Sequence, residues 1–329
     1  MSFKTAIRGV LAGTLVTSLT LVPLAARAQA DAYPTKPVKF IVPYPPGGGT
    51  DVIARIVQGR LQALLGQPVI IENRGGAAGS LGTDVVAKSP PDGYTVLFTL
   101  SSHTINPAIY PKLAFNTAKD FQPVGVVASL PQILVANPSF PAKNVAELTA
   151  MAKAKPGSLQ FASVGNGSPG HLAGELYKLR AGLDMTHVPY RGGGPAVTDV
   201  MGGQVPLLWV SIPAAAPFVK AGKLKALAVS TLKRSAAFPD VPTMQEAGVP
   251  DFEVDSWYAV FVPAKTPKPV VDKLNTVLNQ IVREADIKEK LLQQGSEGVG
   301  GTPEALGKVV TSELARWSKL VKEANIKAE

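Results

Sequence analysis

Short apolar stretches alternate with amphipathic ones along most of the chain. Residues 38–42, 69–71 and 94–100 are rich in β-branched and aromatic side chains, which predicts three strands. Residues 51–65 place their apolar side chains at helical spacing and end at Gly66, which predicts an amphipathic helix closed by a glycine cap. Strands that alternate with helices in this way are typical of an α/β fold with mostly parallel sheets flanked by helices.

The same alternation restarts in the second half of the chain. Four further strands are predicted there, separated by helices, at residues 159–163, 186–190, 205–210 and 224–230. Two long apolar runs without helical period, 121–137 and 254–262, flank this block and are interpreted as crossovers between two lobes. Two C-terminal helices, opened near Pro269 and at Thr302, are predicted to pack on the first lobe.

A chain of 329 residues is long enough for two domains of ordinary size. We therefore predict that residues 31–128 and 254–329 form lobe 1 and that residues 129–253 form lobe 2. The restart of the pattern resembles a loose internal duplication rather than a solenoid repeat.

The first 30 residues have the layout of a secretory signal peptide. Two basic residues precede a largely apolar run at 9–26, and two overlapping small-x-small sites follow at 26–30. We predict cleavage after Ala28 or Ala30 and a periplasmic location. A membrane anchor is the alternative, although the run contains polar residues and is shorter than the ~20 apolar residues of a typical span. The chain has no cysteine, so we expect neither disulfide bonds nor the lipid anchor of a lipoprotein.

The distribution of charge argues against a nucleic-acid-binding surface. The formal net charge is +9, and removal of residues 1–30 takes away three basic side chains and no acidic one. The remaining basic residues are scattered, and aromatic residues make up only 6% of the chain. A nucleic-acid surface needs clustered cations and stacking side chains, so we expect no nucleic-acid partner.

Four glycine-rich loops follow predicted strands, at residues 45–51, 75–80, 165–170 and 191–195. Each precedes a predicted helix, so its backbone N–H groups and the positive end of the helix dipole can hold a carboxylate or phosphate oxygen. Because ligands enter open α/β sheets at the carboxyl ends of their strands, we expect the loops to line one cleft. The residues predicted to bind ligand are Tyr44, Gly47, Gly48, Thr50, Asp51, Gly76, Ala77, Ala78, Gly79, Ser101, Ser163, Asn166, Gly167, Ser168, Arg191 and Asp199.

Side chains near these loops are mostly neutral. Ser101 and Ser163 end strands and can donate hydrogen bonds to a carboxylate. Asp199 can accept a hydrogen bond from a ligand hydroxyl or ammonium group, and holding the loop of Arg191 is the other interpretation. Arg74 and Arg191 are the charged donors within the loops, and either can pair with a local acid instead of the ligand. Thr50 and Ser168 are also the predicted N-caps of their helices.

The residue types predict neither catalysis nor a metal site nor a cofactor. The pattern G-x-x-x-x-G-K-[ST] of nucleotide-binding loops is absent. Ser168 lacks the first glycine of a nucleophile elbow, because position 166 is Asn. The chain has three histidines and no cysteine, and their spacing matches no triad or metal motif. We therefore expect a binding protein with no catalytic residue, no metal and no cofactor.

The loop motifs resemble those of one receptor family. They are Y-P-P-G-G-G-T-D at 44–51, E-N-R-G-G-A-A-G at 72–79, D-G-Y-T at 92–95, V-P-Y-R-G at 188–192, D-V-P-T at 240–243 and the stretch 257–267. In this order, along essentially the whole chain after residue 30, the sequence is similar to the substrate-binding receptors of tripartite tricarboxylate transporters, the Bug-type periplasmic proteins. Ala78 is a departure, because the family often has glycine there.

The resemblance implies a two-lobed periplasmic binding protein of the type II-like, Venus flytrap kind. It implies that the loops at 47–50 and 75–79 hold one carboxylate of a small organic acid, partly through water, while loops of lobe 2 contact the rest. It also implies delivery of that acid to a two-component membrane permease. We expect the receptor to be a monomer.

Two other functions fit a similar scaffold. A periplasmic enzyme acting on a small carboxylate is the main alternative, and turnover of the bound acid would distinguish it from a receptor. The effector domain of a transcription regulator is the second, and the signal peptide and the lack of a helix-turn-helix segment argue against it. The resemblance does not name the acid, because such receptors take di- and tricarboxylates, amino acids and aromatic acids on one scaffold.

Overall fold

The structure is a computed structural model that describes residues 33–110 and 112–326, so the predicted signal peptide lies outside it. In this part of the chain, eleven strands and ten helices form, with one 3₁₀ turn at Ala77–Gly79. The strands are β1 (Val38–Val42), β2 (Val69–Asn73), β3 (Thr95–Leu100), β4 (Phe121–Ser129), β5 (Gln132–Ala136), β6 (Leu159–Ser163), β7 (Met185–Pro189), β8 (Leu207–Ser211), β9 (Lys225–Val229), β10 (Trp257–Pro263) and β11 (Gly298–Gly300). The helices are α1 (Gly49–Leu65), α2 (Ser80–Ala87), α3 (Ser102–Ile109), α4 (Val145–Ala154), α5 (Pro169–Ala181), α6 (Gly193–Met201), α7 (Ile212–Lys220), α8 (Lys268–Ile281), α9 (Ala285–Gln293) and α10 (Pro303–Glu323).

Six strands form the first sheet, in the order β11-β4-β10-β3-β1-β2. Strand β1 pairs in parallel with β2 and β3, and the register places Val38 opposite Val69 and Lys39 opposite Thr95. Strand β10 runs antiparallel to β3 and β4, and β11 runs antiparallel to β4. The carboxyl ends of β1, β2 and β3 therefore lie at one edge of this sheet.

Five strands form the second sheet, in the order β7-β6-β8-β5-β9. Strand β6 pairs in parallel with β7 and β8, with Ser163 opposite Pro189 at its carboxyl end. Strand β5 runs antiparallel to β8 and β9, and its first residue, Gln132, lies opposite Ser211. The carboxyl ends of β6, β7 and β8 thus share one edge, as those of β1, β2 and β3 do in the first sheet.

The two-lobed α/β fold is confirmed, but both sheets are mixed rather than mostly parallel. The parallel strands are those predicted from the strand–helix alternation, whereas the extra antiparallel strands arise largely from the two apolar runs at 121–137 and 254–262. Strand direction depends on how the chain enters a sheet. Strands β5 and β10 enter from the opposite lobe and not through a helix of the same lobe, and an apolar run does not reveal that difference.

Two segments connect the sheets. Strand β4 ends at Ser129 and β5 begins at Gln132, so only two residues separate strands of different sheets. The returning segment runs beside this link, where the N–H of Leu130 donates to the carbonyl of Ser256 over 2.7 Å. The lobe boundaries at 128/129 and 253/254 remain predictions.

The capping residues predicted from the sequence lie at the observed helix ends, with one exception. Gly66 closes α1 in the left-handed conformation, at φ 70°, and Thr302 caps α10 by accepting a hydrogen bond from the N–H of Ala305 at 3.1 Å. Ser168 likewise caps α5, with Pro169 as its first residue. The prediction that Thr50 is an N-cap is wrong, because α1 already begins at Gly49 and Gly48 holds the extended N-cap conformation.

The last helix packs on both lobes, whereas the sequence predicted packing on the first lobe alone. Leu306 and Val310, in its first half, join the core around Trp257 and Phe261 of the first sheet. Trp317 and two neighbouring apolar residues, in its second half, belong to a core built around the second sheet, which also includes Ile105 and Ile109 of α3. Both α3 and α10 therefore contribute to the core of the second lobe.

A buried carboxylate links these two helices to the first sheet. The hydroxyl of Thr104 donates to Glu313 at 2.6 Å, and the indole N–H of Trp257 donates to the other carboxylate oxygen at 3.1 Å. Burial raises the pKa of Glu313, because the surrounding groups are nearly all neutral. Among the described residues, no helix is both long and apolar enough to cross a membrane.

Substitution of two helical glycines would test how closely α5 packs on the second sheet. A Cβ at Gly174 of α5 would lie 2.0 Å from the ring of Phe161, whereas a Cβ at Gly59 of α1 would meet no atom within 4 Å. We expect Gly174→Ala to lower the free energy of unfolding by about 1–3 kcal/mol through overpacking. Gly59→Ala should raise it by about 0.5–1 kcal/mol through helix propensity. Urea unfolding of both variants checks this, and equal effects would contradict the close approach.

Candidate functional site

The loop after β1 is held by its own aspartate. The carboxylate of Asp51 accepts a hydrogen bond from the N–H of Gly47 at 2.9 Å and forms an ion pair with Arg55 at 3.0 Å. Arg55 also donates to Asn73, whose amide donates to the carbonyl of Tyr44 at 3.1 Å. Asp51 is nearly fully buried, and its carboxylate is engaged in these bonds. Its role is therefore to hold the loop in position.

The loop after β2 is conformationally strained. Gly76, Ala77, Ala78 and Gly79 all have positive φ, at 133°, 46°, 54° and 91°. For a residue with a Cβ, the left-handed region costs roughly 1–2 kcal/mol, so two successive alanines there are unusual. Strain of this kind persists where the surrounding structure enforces it, which is common at binding sites.

The unpaired amides of this loop form a cluster of donors. Within the described part of the chain, no hydrogen bond is formed by the N–H groups of Gly76, Ala77 and Ala78. The first-turn N–H groups of α1 also lack intrahelical partners, as at the start of any helix. Lobe 1 therefore presents two groups of free backbone donors, which suit an anion.

Tyr44 connects the two loops of lobe 1. Its hydroxyl is 3.0 Å from the position that a Cβ at Gly79 would occupy, so its ring lies against that glycine. Burial raises the pKa of Tyr44 to about 12, although hydrogen bonds with Thr99 and Ser102 lower it in part. Tyr44 therefore remains a neutral hydroxyl group at physiological pH.

Helix α3 brings the loops of the two lobes together. The hydroxyl of Ser102 donates to the carbonyl of Gly167 at 3.1 Å, and the amide of Asn106 donates to the carbonyl of Ala78 at 2.9 Å. Gly167 packs so closely on α3 that a Cβ there would lie 3.1 Å from Oδ1 of Asn106. Sequence patterns give no sign of the contact made by Asn106, because they predict no helix at 102–109.

Two buried polar atoms at this contact have no partner among the described residues. They are the hydroxyl of Ser101, which is fully buried, and Oδ1 of Asn106, in a residue that is 4% exposed. Buried polar groups are nearly always hydrogen-bonded, and those that are not usually mark a ligand or water site.

The loops of lobe 2 are held together by Ser163 and Tyr190. The hydroxyl of Ser163 donates to the carbonyl of Gly165 at 3.1 Å and accepts from the N–H of the same residue at 3.2 Å. The N–H of Tyr190 donates to the carbonyl of Ser163, which joins the loop after β7 to the loop after β6. The hydroxyl of Tyr190 donates to Asp199 at 2.8 Å. The carboxylate of Asp199 therefore holds the loop of Arg191, which is the second of the two interpretations given for this residue.

Residues 165–170 also match the G-x-G-x-x-G spacing of dinucleotide-binding turns, between a strand and a helix. The backbone donors that would hold a pyrophosphate are occupied here. The N–H of Gly167 donates to the ring of His171 at 3.2 Å, and the N–H of Ser168 donates to the carbonyl of Gly165. Proline at 169 has no N–H to contribute. The loop therefore offers no pyrophosphate cradle.

Charged side chains around the loops are mostly paired. Arg55 pairs with Asp51, and Arg74 pairs with Glu72 at 2.5 Å, which is the local pairing that the sequence left open. Arg191 is exposed and has no ion pair within the described residues. No group of three or more histidines and acids among those residues could hold a metal ion.

The structure thus gathers the predicted residues into two sets of loops that meet at α3. Backbone groups at 47–50 and 76–79 lie on one side, and residues 163–168 and 190–199 lie on the other. The side chains of Asp51, Ser168 and Asp199 are each engaged in holding their own loop. Ligand contact by the 16 predicted residues remains a prediction.

Comparison with known proteins agrees with this arrangement. Residues 53–326 match the family described as tripartite tricarboxylate transporter family receptor. The chain belongs to this receptor family. It is 40% identical to the protein BugT of Bordetella pertussis over 306 residues, which cover 92% of this chain and 94% of that protein. The predicted membership of the Bug-type receptors is confirmed.

Solved structures of receptors extend the comparison. A Rhodopseudomonas palustris protein with adipate is 38% identical, with a TM-score of 0.84 over 90% of this chain and 99% of that one. MatC from Rhodopseudomonas palustris, with bound malate, is 34% identical, with a TM-score of 0.80 over 88% of this chain and all of that one. The family is described as one of receptors, and the chain shares the two-lobed fold of these neighbours.

The strained loop gives one prediction. Ala78→Gly should raise the free energy of unfolding by up to about 1 kcal/mol, because the relief of the left-handed conformation exceeds the added entropy of the unfolded chain. The same change at Ala150, an exposed position within α4, should lower it by about 1 kcal/mol. Opposite signs in urea unfolding are expected. A loss of stability in both variants would show that the loop is not strained.

The buried aspartate gives a second prediction. Burial opposes ionisation of Asp51, but hydrogen bonds from Arg55, Gly47 and Asn73 and the Arg55 charge together hold its pKa below the ordinary 3.8. Its carboxylate therefore stabilises the receptor above pH 3.8, and that stabilisation is lost as the pH falls through the lower native pKa. Asp51→Asn should be less stable than the wild type at neutral pH, and the difference should shrink in acid. A difference that is independent of pH would contradict this role.

Proposed function

We propose that this protein captures a small organic carboxylate between its two lobes in the periplasm and delivers it to a two-component membrane permease. The observation that carries the proposal is a group of free donors on lobe 1. The N–H groups of Gly76, Ala77 and Ala78 have no partner within the described residues, and the first-turn N–H groups of α1 add to them. One carboxylate group of the ligand is held on lobe 1, and groups of lobe 2 contact the remainder.

Backbone N–H groups suit the binding of a carboxylate because they are held in fixed positions and carry no formal charge. Helix α1 directs the positive end of its dipole at the loop 47–50, and the loop 76–79 of the same lobe adds further donors. A carboxylate so held needs no partner cation, in keeping with the pairing of Arg55 and Arg74 to local acids. The ligand-binding roles proposed for Tyr44 and Ser101 are hydrogen bonds from neutral hydroxyls.

The chemistry of relatives supports a carboxylate with a second polar end. One neighbour holds adipate and another holds malate, and both are dicarboxylates. In this chain, Arg191 is the unpaired cation of the lobe 2 loops within the described residues. We propose that it faces the distal end of the acid, so that a diacid binds more tightly than a monoacid of the same length.

Lobe closure follows from the connection between the sheets. The two crossing segments at 129–132 and 254–257 are paired by backbone hydrogen bonds, so they form a compact hinge. The acid binds first to lobe 1, and lobe 2 then closes over it. The closed receptor, acting as a monomer, is the form that the permease recognises.

One contact in lobe 2 bears on the alternative that the protein is an enzyme. The hydroxyl of Ser163 lies 2.7 Å from Nε2 of His187, which is the geometry of a serine–histidine pair. Ser163 is fully buried, and its hydroxyl donates to the carbonyl of Gly165. The hydroxyl is therefore a structural link in the loop, and the described residues around it close it off from solvent.

Native mass spectrometry of the purified protein, followed by thermal shift with a panel of acids, tests the proposal. The panel contains adipate, malate, a tricarboxylate, an aromatic acid and a monocarboxylate matched to adipate in length. A stabilising acid that is recovered chemically unchanged supports the receptor. Conversion of the acid to a product would establish the enzyme, and no response to any member would remove the basis for a carboxylate site.

The loop 47–50 offers a direct test of binding. Gly48 has φ −74°, and a Cβ there would come no closer than 3.4 Å to any atom, so Gly48→Val fits the backbone. It places a bulky side chain at the start of α1, and we expect it to abolish binding of the acid with little change in stability. Gly76 is less suitable, because its φ of 133° and a contact of 2.6 Å with Leu81 make any substitution strained.

Isothermal titration of Gly48→Val with the acid that stabilises the wild type checks this expectation. Ala146→Val, on an exposed face of α4 away from the loops, is the control for an added β-branched side chain in a helix. Retained affinity in Gly48→Val would show that the start of α1 is not part of the site.

A further inference from the structure

Two histidines stack beneath the loop at 165–168. The rings of His171, on α5, and His187, on β7, lie 4.0 Å apart with an interplanar angle of 9°. The ring of Phe161 covers the other side of His187 at 5.0 Å. Neither imidazole is assigned a role by the site described above, although both contact it.

Each ring is bonded to one end of the loop. Nδ1 of His171 accepts a hydrogen bond from the N–H of Gly167 at 3.2 Å. Nε2 of His187 is 2.7 Å from the hydroxyl of Ser163, which in turn bonds both the N–H and the carbonyl of Gly165. The pair therefore fixes the two glycines that set the backbone of the loop.

Both glycines need this external support. Gly165 and Gly167 have positive φ, at 132° and 74°, in a turn with little regular backbone pairing. The same segment carries the carbonyl of Gly167, which accepts from Ser102 of α3 and closes the contact between the lobes. A shift of the loop would therefore move lobe 2 relative to the strained loop of lobe 1.

The hydrogen bond at Gly167 requires a neutral ring. A nitrogen that accepts an N–H cannot itself carry a proton, so His171 is held as the Nε2–H tautomer. A charge on either imidazole would also be repelled by the ammonium group of Lys178, and charges on both rings would repel each other. Lys178 pairs with Glu175, also of α5, at 2.9 Å, and β6 contributes the uncharged side chains of Phe161 and Ser163.

We propose that His171 and His187 are positioning residues of the binding site, which through the hydrogen bonds of their neutral imidazoles hold the loop at 165–168 in the conformation that closes over the ligand. They act through Gly167 and Ser163 and do not touch the ligand. The proposal rests on the proposed function for its effect on affinity, but its effect on the loop is independent of any ligand.

The protonation state agrees with this arrangement. Burial, aided by Lys178, lowers the pKa of His171 to about 4, and burial, aided by His171 and Lys178, lowers that of His187 to about 3. Both rings are neutral over the range in which the unfolded chain, with an ordinary histidine pKa of 6.5, takes up protons. The unfolded chain then binds more protons than the native receptor, so stability falls as the pH drops from 6.5 toward 4.

Two substitutions at His171 separate its hydrogen bond from its packing. His171→Phe keeps an aromatic ring against His187 but removes the acceptor of the Gly167 N–H. His171→Asn removes the ring but offers Oδ1 close to the position of Nδ1. Isothermal titration at neutral pH, with adipate and malate as probes, should show about a tenfold weaker affinity for His171→Phe. His171→Asn should stay within about threefold of the wild type.

His103→Phe is the matched control for loss of a buried histidine. His103 lies among Phe115, Phe121 and Phe261, away from the loop, and burial lowers its pKa to about 3. This variant should bind the acids as the wild type does, although it also loses one of the buried histidines that make stability depend on pH. Equal affinity in the wild type and His171→Phe would overturn the proposal, as would a loss in His171→Asn as large as that in His171→Phe.

A measurement without ligand keeps the proposal independent of the proposed function. The chain has only three histidines, so nitrogen-15 NMR of the rings can be assigned with the three variants, and we expect His171 to show a protonated Nε2 and an unprotonated Nδ1. The amide of Gly167 should exchange with solvent faster in His171→Phe and at the wild-type rate in His171→Asn. If the wild type binds neither acid, the proposed function fails while exchange still decides the role of the pair. The opposite tautomer, or exchange that is the same in both variants, would overturn it.

Discussion

Helix α3 is packed between the two sheets, and one candidate binding loop of each lobe is bonded to it. Its apolar side faces the core of the second lobe, whereas Ser102 and Asn106 bond the loop carbonyls of Gly167 and Ala78. A short helix that bonds one loop of each lobe transmits the position of either to the other. These two hydrogen bonds join neutral groups. Thr104, on the same helix, joins it to the buried carboxylate of Glu313 on α10.

Near the loops of lobe 1, formal charges are paired. Arg55 and Arg74 pair with Asp51 and Glu72, and burial keeps Tyr44 neutral. Burial likewise keeps His171 neutral beneath the loop of lobe 2. An anion beside the lobe 1 loops would be stabilised by fixed dipoles, which need not reorganise when it arrives. In the proposed site the backbone donors hold the carboxylate, so side chains on the facing lobe can vary without disturbing them.

Much of the fold followed from patterns in the sequence. The strands at 38–42 and 159–163 follow from short runs with apolar side chains that end at glycine loops, and Gly66 and Thr302 mark helix ends through well-understood capping chemistry. The sequence does not predict helix α3, because its eight residues include Pro107 and several hydroxyl and amide side chains that are poor helix formers. Its stability comes from tertiary packing, which a local pattern does not show.

The remaining differences have the same origin. Strand direction and the spread of α10 over two cores both depend on which distant segments meet. The stacked histidines are 16 positions apart in the chain and belong to a helix and a strand, so no spacing rule links them. The positions of the glycine loops could be inferred, whereas the groups that hold those loops in place required the structure.

The span of α10 has a mechanical consequence. Its 21 residues form a rod of roughly 30 Å, seated at one end against Trp257 and Phe261 and at the other among the side chains of the second core. Rotation of one sheet against the other must bend this rod or draw one half of it from its seat. If the lobes close as proposed, α10 resists that rotation, and the stiffness of a helix outside the binding loops limits how far the cleft opens.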